Sequence, residues 1–394
     1  MKFASFHLVG TMLAGALAMP GNAFAGTTCY TASVQVLAQG QLGNISLVGP
    51  SSCAGFGSKQ SANVDGLSWH GSKFLNFRFE DFEQVDSFQA IGMRGYNKNG
   101  FYTQAGGAPW LVTDNTLISV VSVGGAGVGP RYMQRQLGNS DGLGGLSAQI
   151  HGAQQTVYVT FKLLSTATSP VSKIFRIYTT QAQTDVFSIY QCAPNNGVLI
   201  ENECGSGVAS CKQGITWSSN PAATPGVWHR VEYLITADGT YTAFVDGAQV
   251  ASLKNALPPS PDFNGHTADF PNMLLTLSWL KQTGWSCPNI PPSGSAGPLG
   301  WDDIFIDYSP SRVEISDSPT WTSPMRREIQ LPTEWTANSV KFAFNQGELP
   351  SGVPLYAYVV SSSGPVNSNG IPLAIGNLPA QVPAAPKPPA LIVK

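Results

Sequence analysis

The sequence predicts an all-β protein, a two-sheet sandwich followed by a small C-terminal β module. Three observations predict it. With 42 Gly and 29 Pro among 394 residues, turn formers make up about 18% of the chain against a usual ~12%, which cuts it into short segments. Those segments are rich in β-branched and aromatic residues, several alternate with period two, and none sustains a helical period. The spacing of the turn signals favours packed antiparallel sheets over βα alternation. A hydrophobic fraction of 42%, with 10% aromatic residues, supplies a core and excludes global disorder.

Residues 1–25 read as a bacterial secretory signal peptide. Lys2 gives a positive start, Leu8 to Met19 is an apolar run, and Ala23-Phe24-Ala25 is a small-x-small cleavage site before Gly26. The run is short for a ~20-residue membrane span, and no later stretch is long and apolar enough for one. The mature chain is therefore expected to be secreted, periplasmic or on the cell surface, without a membrane span.

Residues 26–73 form an N-terminal disulfide-bearing segment in this reading. Six cysteines, an even count in an exported chain, read as disulfides. Cys29 and Cys53, both ahead of the main core, are expected to pair. Cys192, Cys204 and Cys211 fall in a polar stretch, Gln191 to Gly214, which is expected to be a loop fastened by a bridge, with Cys287 joining it. Zinc is disfavoured, since no Cys-x-x-Cys occurs and the five His are scattered.

The main domain is expected over residues 74–312. Its strands are Thr156 to Leu163, Lys173 to Tyr178, Val186 to Tyr190, His229 to Ile235, Tyr241 to Val245, Met273 to Leu280 and Asp303 to Tyr308. Ala237-Asp238-Gly239-Thr240 and Asp246-Gly247 read as hairpin turns, with glycine supplying the positive φ. Beyond Arg312 four shorter strands follow: Arg326 to Leu331, Ser339 to Phe344, Leu355 to Val360 and Ile371 to Ile375. They make a small β module over 313–378. Residues 379–394 are Pro and Ala rich and read as an extended tail.

Charge narrows the partners. The 21 basic and 23 acidic residues give a formal net charge of −2 and form no basic block, so a nucleic-acid partner is not expected. No phosphate-binding glycine loop, Gly-x-Ser-x-Gly elbow or His-Glu-x-x-His occurs either.

Three segments carry a family resemblance. GVWHRVEYLITADGTYTAFVDG (226–247), FEDF (79–82) and GWDDIFID (300–307) resemble parts of the concanavalin A-like lectin/glucanase jelly roll. The resemblance implies a two-sheet jelly-roll sandwich, and it is shared by lectins, hydrolases, lyases and adhesion modules. A retaining glucanase would need two carboxylates at matched strand positions. The nearest stretch, Glu80 to Asp86, has another spacing and position, and reads as solvated charges on an edge strand.

A second constellation resembles the alginate-lyase members of that superfamily. Arg131-Tyr132-Met133-Gln134-Arg135 is followed by Gln149-Ile150-His151, where the family carries Arg-x-Glu-x-Arg and Gln-Ile-His strands. The resemblance implies that Arg131, Arg135 and Gln149 neutralise a uronate carboxylate while His151, with Tyr178 or Tyr190, moves the proton. Met133 replaces the family's Glu, and its late tyrosine-bearing strand has no counterpart. The plainer reading has the arginines pairing with carboxylates on an outward face.

Further ligand-binding candidates are Lys173 and Arg176, between aromatic residues, and Trp110 and Trp285, in Gly/Pro-rich loops where an indole can stack on a sugar ring. Trp228, Trp279 and Trp301 lie in strong strand patterns and are expected in the core. No cofactor is expected. A structural calcium is the one candidate ion, with Glu80, Asp81, Asp302 and Asp303 on the first and last strands as oxygen ligands. The expected function is a secreted carbohydrate-binding or surface-adhesion protein recognising an extracellular polysaccharide or cell-surface glycan. A polysaccharide lyase acting on an acidic glycan, and a structural component of an extracellular assembly, are the alternatives.

Overall fold

The computed structural model describes residues 29–33, 42–48, 53, 55–56, 77–80, 111–112, 118–126, 129–135, 146–150, 156–165, 172–179, 185–192, 197–202, 214–217, 226–236, 240–253, 273–279, 299–307, 309–321, 326–350, 352–361 and 364–373. Among these the regular elements are all strands. The chain starts with β1 (Tyr30–Ser33) and β2 (Leu42–Leu47). The central stretch opens with β3 (Phe77–Glu80), β4 (Leu111–Val112), β5 (Ile118–Val121), β6 (Tyr132–Arg135), β7 (Leu146–Ile150), β8 (Thr156–Ser165), β9 (Ser172–Thr179) and β10 (Asp185–Cys192). It continues through β11 (Gly197–Asn202), β12 (Gly214–Trp217), β13 (Trp228–Thr236), β14 (Tyr241–Val245), β15 (Ala248–Leu253), β16 (Met273–Trp279) and β17 (Leu299–Asp307). The last stretch holds β18 (Arg312–Ser316), β19 (Arg327–Trp335), β20 (Ser339–Ala343), β21 (Leu355–Ser361), β22 (Gly364–Pro365) and β23 (Ile371–Leu373).

The central strands form the two-sheet jelly-roll sandwich. One sheet runs β12-β11-β10-β9-β16-β7-β4, the other β15-β14-β13-β8-β17-β6-β5, with β3 also paired to β17. The first and last strands of the sandwich are therefore partners, with Phe79 opposite Phe305 and Glu80 opposite Ile304. Every pairing is antiparallel, as the short connections and period-two patterns require. The stretch 191–214, expected as a loop, contains β11, whose Val198, Leu199 and Ile200 pair along β10. Its apolar run outweighs the polar residues around it. Cys192 is the last residue of β10, and Cys204, Cys211 and Cys287 lie outside the described residues.

Strand β8 shows how the layers are assigned. Val159, Phe161 and Leu163 alternate with Tyr158, Thr160 and Lys162, yet all six are buried. The first set shares its face with Val231, Tyr233, Met133, Trp301 and Ile306, which are at most 2% exposed, and forms the sandwich interior. The second set faces away from the sandwich and is buried by a third layer.

That third layer is the C-terminal module, enlarged from the N-terminus. Its sheet runs β1-β2-β20-β19-β18-β21-β22, with β23 on β21, and it curls far enough that β1 approaches β23. The segment preceding the sandwich is thus not separate: β2 pairs with β20 from Leu42 opposite Ala343 to Ser46 opposite Ser339. The Cys29–Cys53 disulfide, with a Cα–Cα distance of 5.6 Å, closes this part as the sequence predicted. Ile45, Phe56, Val313, Ile315, Val340, Phe342 and Val359 make the module's core. The jelly roll is therefore an insertion between β2 and β18 of a curled β-sheet.

Candidate functional site

The module docks on the outer face of the β13–β8–β17 sheet through charge. Arg230 on β13, 7% exposed, donates from Nη1 and Nη2 to the two carboxylate oxygens of Glu314 on β18, at 3.1 and 3.0 Å. Its Nη2 also reaches Glu232 at 3.1 Å and the Tyr158 hydroxyl at 3.1 Å. Tyr158 in turn donates to Glu232 at 2.5 Å. Arg312 bonds Glu314 through Nε, reaches Glu232 at 3.5 Å and covers the Tyr158 ring at 4.4 Å. Arg327 approaches Glu314 at 3.9 Å while its guanidinium lies 4.0 Å from the Trp321 ring centroid.

Burial disfavours ionisation of Glu314, but Arg230, Arg312 and Arg327 outweigh it and hold the carboxyl far below its ordinary range. Burial likewise works against charge on Lys162, which Glu328 at 2.8 Å and Glu348 at 2.9 Å more than offset, so its ammonium is held above its usual range. Desolvation pushes the Tyr158 hydroxyl up, keeping it a neutral donor. The network joins four cations, Lys162, Arg230, Arg312 and Arg327, to four carboxylates, Glu232, Glu314, Glu328 and Glu348. It is electrically balanced, and most of it is out of reach of a ligand.

At the edge of this interface the two bodies part and leave an open cleft of about 640 Å³. The jelly roll contributes Lys162, the start of β13 from Gly226 to Arg230, and the Asp246-Gly247 turn; the module contributes Arg326, Arg327 and Glu348. The turn is built as the sequence predicted. Asp246 at φ 49° and Gly247 at φ 78° link Val245 to its partner Ala248, and two successive positive φ values give the hairpin its tight, twist-matched turn. Gly247 is required for a second reason, since a Cβ there would sit 2.1 Å from Arg327 Nη2. The other expected turn, at residues 237–239, lies outside the described residues.

The turn also places an acid beside an imidazole. The Asp246 backbone N–H donates to Arg230 O at 2.9 Å, its Oδ1 accepts from Arg230 N at 2.9 Å, and its Oδ2 lies 2.7 Å from His229 Nδ1. Partial burial disfavours the Asp246 carboxylate, but the His229 contact and the Arg230 N–H outweigh it, so its carboxyl is held below the usual range. Trp228, expected in the core, is instead half-buried on the cleft wall. Its Nε1 donates to Gly124 O at 3.0 Å and its ring meets Tyr132 edge-on at 5.2 Å. Both rings rest on Gly300, where a Cβ would come within 3.0 Å of each. With its N–H used internally, the indole offers the cleft an apolar ring. Val227 beside it is 49% exposed.

The residues singled out from sequence do not come together here. Arg131 immediately precedes β6 and is half-buried, Arg135 is the last residue of that strand, and Met133 between them is fully buried opposite Trp301. Gln149 lies on β7 of the other sheet, which separates it from the arginine pair. His151, Trp110, Trp285 and Asp81 lie outside the described residues. Gln149 and Tyr178 share one cross-strand row through Leu274, with Arg176 two positions along and Lys173 on the opposite parity. Tyr190 is placed opposite Lys173 on β10. Of the calcium candidates, Glu80 is on β3 and Asp302 and Asp303 are on β17, at a bulge between Asp302 and Phe305. The Asp302 carboxylate accepts N–H bonds from Ala126 and Asp303, at 2.8 and 2.9 Å. Among the described residues no three His, Cys, Asp or Glu side chains are grouped as a metal site. Trp301 is fully buried, as expected.

No protein-family pattern and no curated protein matches the chain. Solved structures resemble it in outline only. "Cellulose induced protein, Cip1" is 16% identical, with 59% of this chain and 97% of that chain covered at a TM-score of 0.36. A Caenorhabditis elegans galectin is 13% identical over 44% and 95%, at 0.27. An alginate lyase from Pseudomonas aeruginosa is 8% identical over 45% and 82%, at 0.31. These likenesses leave the functional argument to the chain's own geometry.

Proposed function

We propose that the protein is a secreted glycan-binding protein that takes a polysaccharide segment into the cleft between its jelly roll and its module. The observation that carries this is the make-up of the cleft. An apolar indole ring, Trp228, stands beside the polar side chains of His229, Asp246, Arg326 and Glu348, in an open space of about 640 Å³. Sugars present just this mixture, with apolar C–H faces that stack on aromatic rings and hydroxyls that need donors and acceptors of set direction. The Cys29–Cys53 bond suits an oxidising compartment, and no described helix is long and apolar enough to cross a membrane.

Binding without cleavage is the reading we favour, because Arg135 lies on a strand of one sheet and Gln149 on a strand of the other. Retention on immobilised neutral and acidic polysaccharides tests it, alongside assays for unsaturated products and new reducing ends. The expected result is retention without product, reduced at least tenfold in Trp228→Ala. Retention that is unchanged in Trp228→Ala moves the site away from the cleft, and product formation replaces binding by catalysis.

A further inference from the structure

We propose that the glycan site runs past the cleft, over Trp228, onto an outer apolar subsite made by Val227 and Val123, and that this subsite takes the C–H faces of a neutral polysaccharide with equatorial substituents. This rests on the glycan-binding reading and names its ligand class. Exposure is the first observation. Val123 is 79% exposed, the highest value among the large apolar residues of the described surface, and Val227 is 49% exposed. Aliphatic side chains scattered singly on a surface are ordinary. These two are not scattered: Trp228, next to Val227 in the chain, donates its indole N–H to the carbonyl of Gly124, next to Val123, at 3.0 Å. That bond fastens the segment after β5 to the start of β13. Gly226, Val227 and Trp228 also line the cleft, so the apolar surface is continuous with it.

The segment that carries Val123 is fixed from behind. The Ala126 N–H donates to the carboxylate of Asp302, buried on the inner strand β17, at 2.8 Å, and the Gly125 N–H donates to Pro130 O at 2.9 Å. Gly125 lets the two arms of this connection close up, since a Cβ there would lie 2.7 Å from Gly129 O and Arg131 O. Gly124 and Gly226 stand at φ 89° and 79°, and a Cβ on either would meet no described atom within 4 Å, so the space beside each valine is open. A surface fixed in advance costs a ligand no ordering of the loop. Size and chemistry then name the occupant. Val123, Val227 and Trp228 together present far less than the ~800 Å² per partner of a stable protein interface, whereas a sugar ring is covered by one or two side chains. A cleft of about 640 Å³ takes a ligand of drug size, about three sugar units, and a longer strand leaving it over Trp228 meets the valines next. Groups made of carbon leave a buried hydroxyl or carboxylate unpaired. A ring with equatorial hydroxyls turns them to its rim and presents C–H groups on its faces, which is what this surface can cover.

Calorimetric titration of the full chain with cellotriose and cellohexaose, neutral strands with equatorial substituents, tests this. Val123→Ser is expected to weaken cellohexaose about three- to tenfold, the range set by losing one partly covered aliphatic contact, and cellotriose less than twofold. Val123→Leu, which keeps an apolar contact, is expected to hold cellohexaose within about twofold of wild type. Trp228→Ala is expected to weaken both oligomers. Hexagalacturonate, charged and linked through axial bonds, is expected to bind at least about threefold weaker than cellohexaose. Val123 is exposed, so its variants should fold, which circular dichroism verifies. Equal weakening of both cello-oligomers in Val123→Ser, no weakening of either, or tighter binding of hexagalacturonate overturns the proposal and leaves the glycan reading. Self-association, or adsorption to phosphatidylcholine vesicles, that Val123→Ser abolishes also overturns it, because the valines then serve a second copy or a lipid surface. Binding of neither cello-oligomer overturns it too, and the retention assay on immobilised polysaccharides then decides whether the glycan reading falls with it.

Discussion

Glu314 is the residue on which the docking of module to jelly roll turns. Its side chain is fully buried and takes two bonds from Arg230, one from Arg312 and a longer contact with Arg327. Glu314→Gln keeps the volume and removes the charge. Three buried guanidinium groups are then left with Glu232 as the nearest carboxylate. Breaking a buried pair by removing one partner costs about 3–5 kcal/mol, because the stranded charge has lost its hydration without compensation. At roughly 2–4 °C per kcal/mol for units of about 150–250 residues, the midpoint should fall by roughly 6–20 °C. Calorimetry and urea unfolding of wild type and variant measure it. Combining Arg230→Met with Glu314→Gln should cost less than the sum of the two single changes, since one of the three guanidinium groups that Glu314→Gln strands is then removed with it. A loss below about 1 kcal/mol in Glu314→Gln, or additive single and double variants, would refute the reasoning.

Three further outcomes follow from the same structure. Stability should be flat from pH 7 to about 5 and fall below about 4, because Glu314 and Asp246 have depressed folded-state values. Their contribution is complete above the unfolded carboxylate range and is lost as they are protonated on the way down; thermal melts across pH check it, with a shallower fall expected in Glu314→Gln. Cys29→Ser opens a 24-residue separation and should cost about 3 kcal/mol in the chain-entropy account, read as a lower urea midpoint for the module. Gly247→Ala puts a side chain at φ 78° and against the Arg327 guanidinium, and should cost at least 1–3 kcal/mol by the same measurement.

The strands were the most legible part of the sequence. Thr156 to Leu163, Tyr241 to Val245 and Met273 to Leu280 stand within two residues of β8, β14 and β16, because β-branched and aromatic runs bounded by turn formers have few other outcomes. The insertion was not legible. LGNISL is short and half polar, and its partner β20 lies almost 300 residues on, a pairing that no local pattern encodes. The Arg131 and Arg135 pattern shows the limit of a short motif: Met133 between them is fully buried, and Gln149 belongs to a strand of the other sheet, a separation that the spacing of the two motifs does not encode. Trp228 sits in a strong strand pattern that marks core on most sheets, and only the parting of two bodies leaves it at an edge. One signal was available. HRVEYLI and RVEIS each carry Arg and Glu two residues apart, which alternation puts on one face of a strand whose other face is apolar, as a charged contact between sheets needs.

The path of the chain explains why a cleft forms where it does. Strands β17 and β18 are consecutive, with Asp307 and Arg312 only five positions apart, so the module must fold back onto the sheet that β17 belongs to. That face cannot be sealed with apolar residues alone. Tyr158, Phe305 and Ile329 make a small apolar cluster at one part of it, and the charged network occupies the next. A balanced network holds only where each charge meets its opposite, and at the start of β13 the pairing runs out. Arg230 is the last residue of that strand's end to face a module carboxylate, while His229 and Asp246 pair within the jelly roll and Arg326 stays exposed on the module. The cleft is thus the edge of the ionic interface, set by where the charge pairing between the two sheets ends and not by either sheet alone.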